Sequence, residues 1–289
     1  MSLTYAVFCS PKVTQGTEWY LLQDAFKHFN LTVSFYPIQK CRTLAPKLDA
    51  DVFVAAGGDG TVNCVASQAY QLRKPLGIVP LGTLNHFAHD IGIPLVLFKA
   101  VETIVQGKTI KTDIGTVNDT VFLNNSSVGI YPTIVRTRIR LEKLIGKWPA
   151  AVVTIFLIVP RQLYIYKIKL TLDGVTINTR SSLFFVGNNT YSLKGLGLPT
   201  RDNLWQGKLH IYVLKTKRLD RLLKTVWYSL LSKRLPERYI NRYEGKLLKV
   251  QIHSRKRVSV ALDGEISRMS TPLEFKLLPK ALSVIVSHN

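Results

Sequence analysis

The sequence predicts an α/β domain followed by a mainly β domain, on three observations. Short apolar segments alternate with segments of helical spacing up to about residue 113. Beyond that point apolar segments follow one another with turn residues between them. The length of 289 residues, with 46% hydrophobic and 20% charged residues, suits one large or two modest folded domains with ample core.

Taken in order, residues 5–9 (Tyr-Ala-Val-Phe-Cys) read as a short buried strand. Residues 17–29 have helical spacing through Trp19, Leu22, Phe26 and Phe29. Residues 31–35 and 51–55 read as strands, 62–70 as a helix, 76–80 as a fourth strand and 95–105 as a further helix. Strands alternating with helices imply a parallel sheet with crossovers. Such sheets bind ligands at the carboxyl ends of their strands. That rule puts residues 57–63 and 80–85 on one rim.

In the second half, strands are predicted at 121–123, 163–172, 182–186, 209–214, 247–253, 257–262, 273–277 and 282–286. Helices are predicted at about 133–159 and 220–232. Asp173-Gly174 and Pro279-Lys280 read as turns of antiparallel hairpins. No internal repeat or low-complexity linker is present.

The chemistry concentrates in three segments. The first is Gly57-Gly58-Asp59-Gly60-Thr61-Val62-Asn63, between an apolar strand and a helix. Its glycines let the backbone approach a ligand with several N–H groups directed at phosphate oxygens, and the helix start adds positive potential. Asp59 is an acid inside that turn, and an acid beside bound phosphates is costly unless it holds a metal ion or handles a proton. The segment therefore suggests phosphate chemistry rather than phosphate binding alone. The second is Pro80-Leu81-Gly82-Thr83-Leu84-Asn85-His86. There Gly82 allows a tight turn, and Thr83 and Asn85 offer short polar side chains to the same rim. The third, Leu262-Asp263-Gly264-Glu265, reads as a common turn. It has a chemical role if one of its carboxylates accepts the proton of a phosphoryl acceptor.

The formal charge of +21 is unevenly spread. Residues 1–130 carry 10 Lys/Arg and 9 Asp/Glu, and residues 131–289 carry 29 and 9, so the excess of +20 lies in the second half. Such a half seeks a polyanion, either nucleic acid or an anionic membrane face. Arg136, Arg138, Arg140, Lys143 and Lys147 flank an apolar run, residues 148–160. Lys215, Lys217, Arg218, Arg221, Lys224, Lys233, Arg234 and Arg238 form further groups, and Trp148, Trp205 and Trp227 are candidate interfacial anchors. The apolar run falls short of the ~20 residues of a membrane span and reads as a buried helix, with an interfacial helix as the alternative. Cys9, Cys41 and Cys64 lack metal-ligand spacing and read as reduced thiols. The first residues, MSLTYAVFCSPK, lack the pattern of a signal peptide, so a cytoplasmic protein at the membrane surface is expected. There is no Gly-x-x-x-x-Gly-Lys-Ser/Thr loop, and Gly58-x-Gly60 is followed by Asn63, not a third glycine.

In this order, the three segments resemble the diacylglycerol kinase catalytic-domain family, the soluble bacterial lipid kinases related to sphingosine and ceramide kinases. The resemblance takes in Gly57-Gly58-Asp59-Gly60-Thr61, Gly82-Thr83-Leu84-Asn85, Asn124, Gly129 and Asp263-Gly264-Glu265. The glycine-aspartate run alone is shared with NAD kinases and phosphofructokinases. The resemblance implies an α/β ATP-binding domain over residues 1–115 and a β-sandwich lipid-substrate domain over 116–279. It further implies that the last strand, about 280–289, returns to the first domain, and that the active site lies in the interdomain cleft. ATP phosphates would be cradled by Gly57 to Asn63, with Gly82, Thr83 and Asn85 contributing. Asp59 would assist through Mg²⁺-ATP, and Glu265 would accept the proton of the lipid hydroxyl; some relatives assign the base to the acid matching Asp59.

The chain departs from the family at three places. Ser10-Pro11 stands where Asn-Pro is frequent, and His86 where an Asp commonly follows the asparagine. Asn203-Leu204-Trp205-Gln206-Gly207, with Asp202 the nearby acid, lacks the acidic pair that helps hold a structural Mg²⁺, so that site is not expected in its usual form. The expected partners are a membrane lipid substrate and an anionic membrane surface, with no nucleic acid and the oligomeric state open. An NAD kinase-like enzyme, a nucleic-acid-binding protein and a non-catalytic lipid-binding protein are the alternatives.

Overall fold

The computed structural model describes residues 3–129, 146, 153, 165–189, 191–192, 200–201, 206–215, 240–253 and 255–288. The helices expected at 133–159 (residues 146 and 153 apart) and 220–232 lie outside the described residues. So do Trp148, Trp205, Trp227, Asp202 and, except for Lys215, the basic groups named above. The described chain forms two units: residues 3–114, 120–124 and 278–288 in the first, and 115–119 and 125–277 in the second.

The first unit contains β1 (Thr4–Cys9), α1 (Pro11–Thr14), α2 (Glu18–His28), β2 (Thr32–Pro37), α3 (Cys41–Leu44), β3 (Val52–Gly57), α4 (Asp59–Gln71), β4 (Leu76–Pro80), α5 (His86–Asp90), α6 (Leu97–Gln106), most of β5 (Lys108–Val117) and β6 (Thr120–Phe122). Strands β2, β1, β3 and β4 lie side by side and parallel. β3 and β4 are buried along their whole length, as expected of strands covered on both faces. Helices α2 and α6 pack on one another, and α4 packs against α3 and β6. Burial raises the Cys9 thiol pKa to about 12. A hydrogen bond with Cys64, and then burial, raises that of Cys41. These protonated thiols serve the core, as the sequence implied.

The second unit contains β7 (Asn125–Gly129), β8 (Tyr166–Leu172), β9 (Val175–Ser181), β10 (Leu183–Asn188), β11 (Tyr191–Ser192), β12 (Thr200–Arg201), β13 (Leu209–Leu214), β14 (Ile240–Gly245), β15 (Leu247–Ile252), β16 (Arg257–Leu262), β17 (Glu265–Ser270) and the first part of β18 (Leu273–Val286). One antiparallel sheet runs β14-β13-β10-β7-β16-β17, and another runs β18-β15-β8-β9. Phe184 of the first meets Phe275 of the second edge-on, with ring centroids 6.3 Å apart and both rings buried. The α/β and antiparallel β character of the two parts is as the sequence predicts.

One predicted turn is corrected. Residues 273–286 form a single strand, so Pro279-Lys280 does not reverse the chain. Lys280 has φ +50°, and its N–H donates to Oδ1 of buried Asp113 at 2.8 Å. Proline has no N–H for the ladder, and Asp113 draws the next one aside, so the pair makes a local irregularity inside the strand. By contrast, Asp173-Gly174 and Asp263-Gly264 are two-residue hairpin turns, with Leu172 opposite Val175 and Leu262 opposite Glu265. Among the described residues, no helix is long and apolar enough to cross a membrane.

Candidate active site

The candidate site begins where β3 and β4 end. Leu81, just beyond β4, donates its N–H to the carbonyl of Gly57 at 3.0 Å and locks the two strand ends together. Gly58 is extended and caps α4, which starts at Asp59, three residues before the helix predicted from spacing. The two glycines made this first turn look like a loop, but an acid at a helix start is favoured by the backbone dipole. The amides of Asp59, Gly60 and Thr61 have no acceptor within the helix. Gly58 brings no side chain to cap them. The Val62 N–H closes the first helical bond, onto the Gly58 carbonyl at 3.0 Å. Val62 itself points into the core, and the Asn63 side-chain amide donates to the Val121 carbonyl of β6 at 3.2 Å. The anion-binding surface of this segment is thus the backbone of Gly57–Thr61, while Val62 and Asn63 anchor the helix.

The two glycine segments meet backbone to backbone. A Cβ on Gly82 would lie 2.4 Å from Cα of Gly58 and 2.7 Å from Oδ1 of Asn85. On Gly57 it would lie 2.5 Å from Oγ1 of Thr61 and 3.1 Å from Cβ of Ser10. Any side chain here would push the segments apart, so the glycines are required by contact. The Ser10-Pro11 turn closes on Gly57 from the same side.

The structure turns Asn85 away from the role of a rim side chain. It adopts the left-handed conformation (φ 49°, ψ 43°) and is buried. Its Oδ1 accepts from the Gly82 N–H at 3.0 Å, and its Nδ2 donates to the carbonyls of Gly82 (2.9 Å) and Pro80 (3.3 Å). Asn85 therefore shapes the loop from within. Thr83 is exposed at its tip, beside exposed Leu84.

Asp59 is held by α5. His86 Nδ1 lies 3.2 Å from its Oδ2, and the Phe87 N–H donates to Oδ1 at 3.4 Å. The Asp59 side chain is 16% exposed and that of His86 31%, so the pair stands at the edge of solvent. Sequence reasoning noted His86 but missed this contact, because 27 residues separate the partners and no local pattern joins them.

The glycine turn and the open α4 amides fit the phosphates of a nucleotide. The metal donors are a poorer fit. Among the described residues, no three His, Cys, Asp or Glu side chains group as a metal site, and both Asp59 oxygens are already engaged. Mg²⁺ is commonly held by one or two carboxylates together with substrate phosphates, so Asp59 would meet it with the nucleotide in place.

Glu265 belongs to the second unit, at the first position of β17. It is exposed, and no side-chain hydrogen bond or ion pair engages it among the described residues. Asp263 holds the turn beside it. Its Oδ1 accepts from the Asn125 N–H at 2.9 Å, and its own N–H donates to the Asn125 carbonyl at 2.9 Å. Asp263 (φ 46°) and Gly264 (φ 90°) supply the backbone such a turn demands. The two acids are thus distinguished: Asp263 is structural and Glu265 is available. Asn124 is buried in the first unit, and Gly129 ends β7 in the second.

Residues 6–117 match the family model described as the diacylglycerol kinase catalytic domain. This stretch is similar to that family. The match carries both glycine turns, Asp59 and His86. A diacylglycerol kinase of Bacillus subtilis (strain 168) is 28% identical over 253 residues, covering 82% of this chain and 78% of the relative. A diacylglycerol kinase of Staphylococcus aureus (strain JH9) is 32% identical over 140 residues, 47% of this chain and 44% of the relative. A crystal structure from Bacillus anthracis str. Sterne shares the fold, with a TM-score of 0.74 at 22% identity over 99% of this chain and 98% of that one. The chain is a kinase of the class that phosphorylates an alcohol.

Proposed function

We propose that the chain is an ATP-dependent lipid kinase that transfers the γ-phosphate to a hydroxyl of a membrane lipid, diacylglycerol or a sphingoid-like relative. The observation that carries this reading is Asp59 at the open N-terminus of α4, beside two abutting glycine turns, within a stretch similar to the kinase family. The amides of Asp59, Gly60 and Thr61 would take phosphate oxygens, with Thr83 at the edge of the nucleotide site. Because phosphoryl transfer passes through a loose transition state, orienting the acceptor matters more than base strength. Glu265, exposed and uncommitted, would receive the hydroxyl proton. Mg²⁺ enters this reading as a companion of the nucleotide, with Asp59 the acid beside it. With γ-labelled ATP and a total lipid extract, label is expected in an organic-soluble product. Label confined to water-soluble products would overturn the lipid acceptor and favour a soluble one.

We propose an anionic membrane face as the docking partner, and the outer face of the β18-β15-β8-β9 sheet supports it. Ile168, Leu170, Leu248, Val250 and Phe275 fill the inner face. The alternate positions carry Lys167, Lys169, Arg180, Lys249 and Lys276. Glu274, paired with Lys249 and Lys276, is the acid among them. Lys167 stands directly opposite Arg180, a like-charge pairing that costs stability. Asp173, in the β8-β9 turn, lies at the other end of the hairpin and accepts from the N–H groups of Lys246 and Leu247. Each cation near an anionic bilayer contributes about 1 kcal/mol. Replacing Lys167, Lys169 and Arg180 together by Glu is expected to weaken sedimentation with phosphatidylglycerol-containing vesicles at least tenfold, with no change on zwitterionic vesicles. Unchanged vesicle binding, or tighter binding of the parent chain to nucleic acid at physiological salt, would refute this partner.

A further inference from the structure

We infer that His86 is a positioning residue for Asp59, an inference that rests on the kinase reading above. The carboxylate of Asp59 is addressed on both oxygens from the start of α5, by His86 Nδ1 on Oδ2 and by the Phe87 N–H on Oδ1. A carboxylate at neutral pH only accepts, so the contact requires the hydrogen of the imidazole on Nδ1. The bond therefore fixes two things together: the rotamer of Asp59 and the tautomer of His86.

The backbone that carries His86 is itself fixed. Asn85, the residue before it, spends its side chain on Gly82 and Pro80. Gly82 in turn abuts Gly58, the residue before Asp59. The loop and the helix start thus form a closed circuit, Asp59–His86–Asn85–Gly82–Gly58, that returns to the acid. Within it His86 is the side chain that reaches the carboxylate. An aspartate at position 86 would set a second acceptor against Asp59 and would need a hydrogen or a cation between them. Histidine makes the same connection directly. This chain therefore aims its acid with a hydrogen bond from its own side chain.

Two measurements test this. With 15N-labelled protein under conditions where the ring is neutral, His86 is expected to carry its hydrogen on Nδ1. Asp59→Ala is expected to return it to Nε2, the usual preference of free imidazole. This readout does not depend on turnover, so it remains interpretable even if the lipid-kinase reading fails. In the kinase assay, His86→Ala is expected to lower kcat on the order of tenfold to a hundredfold, the scale of a misplaced catalytic group, with KM for ATP changed far less. His86→Asn, whose amide nitrogen falls near the position of Nδ1, is expected to recover most of that loss. Hydrogen found on Nε2 in the parent chain overturns the inference. So does wild-type kcat in His86→Ala, or equal loss in the Ala and Asn variants with a matching fall in thermal stability.

Discussion

Replacing Asp59 by Asn is expected to lower phosphoryl transfer on the order of 10²- to 10⁴-fold while leaving the fold in place. The substitution preserves size, and the amide oxygen still accepts from either His86 or Phe87. The other former oxygen becomes an NH₂, which a neutral His86 accepts on Nδ1 by carrying its hydrogen on Nε2, and the negative charge is lost. The structural cost is small. An acid in the first turn of a helix contributes about 0.3–1 kcal/mol through the dipole, and Asp59 is not a core residue. The loss of function therefore far exceeds the loss of stability. Turnover measured beside thermal unfolding checks this separation. Wild-type turnover in a folded Asp59→Asn protein would remove Asp59 from the chemistry and leave the glycine turns as a binding feature alone.

β3 and β4 were legible because they are buried on both faces. Val52–Gly57 and Leu76–Pro80 are unbroken apolar runs closed by glycine or proline. Sequence reasoning missed β5, whose polar first half hides a buried second half, and several strands of the opposite character. β9, β14 and β17 are edge strands with one solvated side, so their apolar content is diluted. β7 is central yet reads Asn-Ser-Ser-Val-Gly, and Ser126 and Ser127 are nevertheless fully buried. No periodicity marks such a segment; its place comes from its neighbours β10 and β16.

The candidate site divides along the same line. Gly57, Gly58 and Gly82 were legible because a glycine requirement acts locally, through the space its missing Cβ leaves. The direction of the polar side chains was not. Asn63 and Asn85 look alike in sequence as short amides on a rim, but one holds β6 and the other holds its own loop. Which acceptor an amide finds depends on backbone brought close by the fold, and residue spacing does not encode it. The same holds for Asp59 and His86. Their charges were evident, and their bond was not.

The largest effect expected in the second unit separates two acids that are neighbours in sequence. Glu265→Gln is expected to reduce turnover on the order of 10²- to 10⁴-fold and to change stability by no more than about 0.5 kcal/mol, as for an exposed side chain without partners. Asp263→Ala should do the reverse in kind. It removes the acceptor of the Asn125 N–H and places alanine at φ 46°. A lost hydrogen bond to a charged group costs about 1.5–3 kcal/mol, and the left-handed backbone adds to this. Asp263→Ala is therefore the variant that unfolds early in a thermal scan, and Glu265→Gln the one that unfolds with the parent chain yet fails to label lipid. A motif read only as a turn predicts that Glu265→Gln is silent in both measurements. Full turnover in that variant would leave Asp-Gly-Glu as a hairpin and return the proton to Asp59.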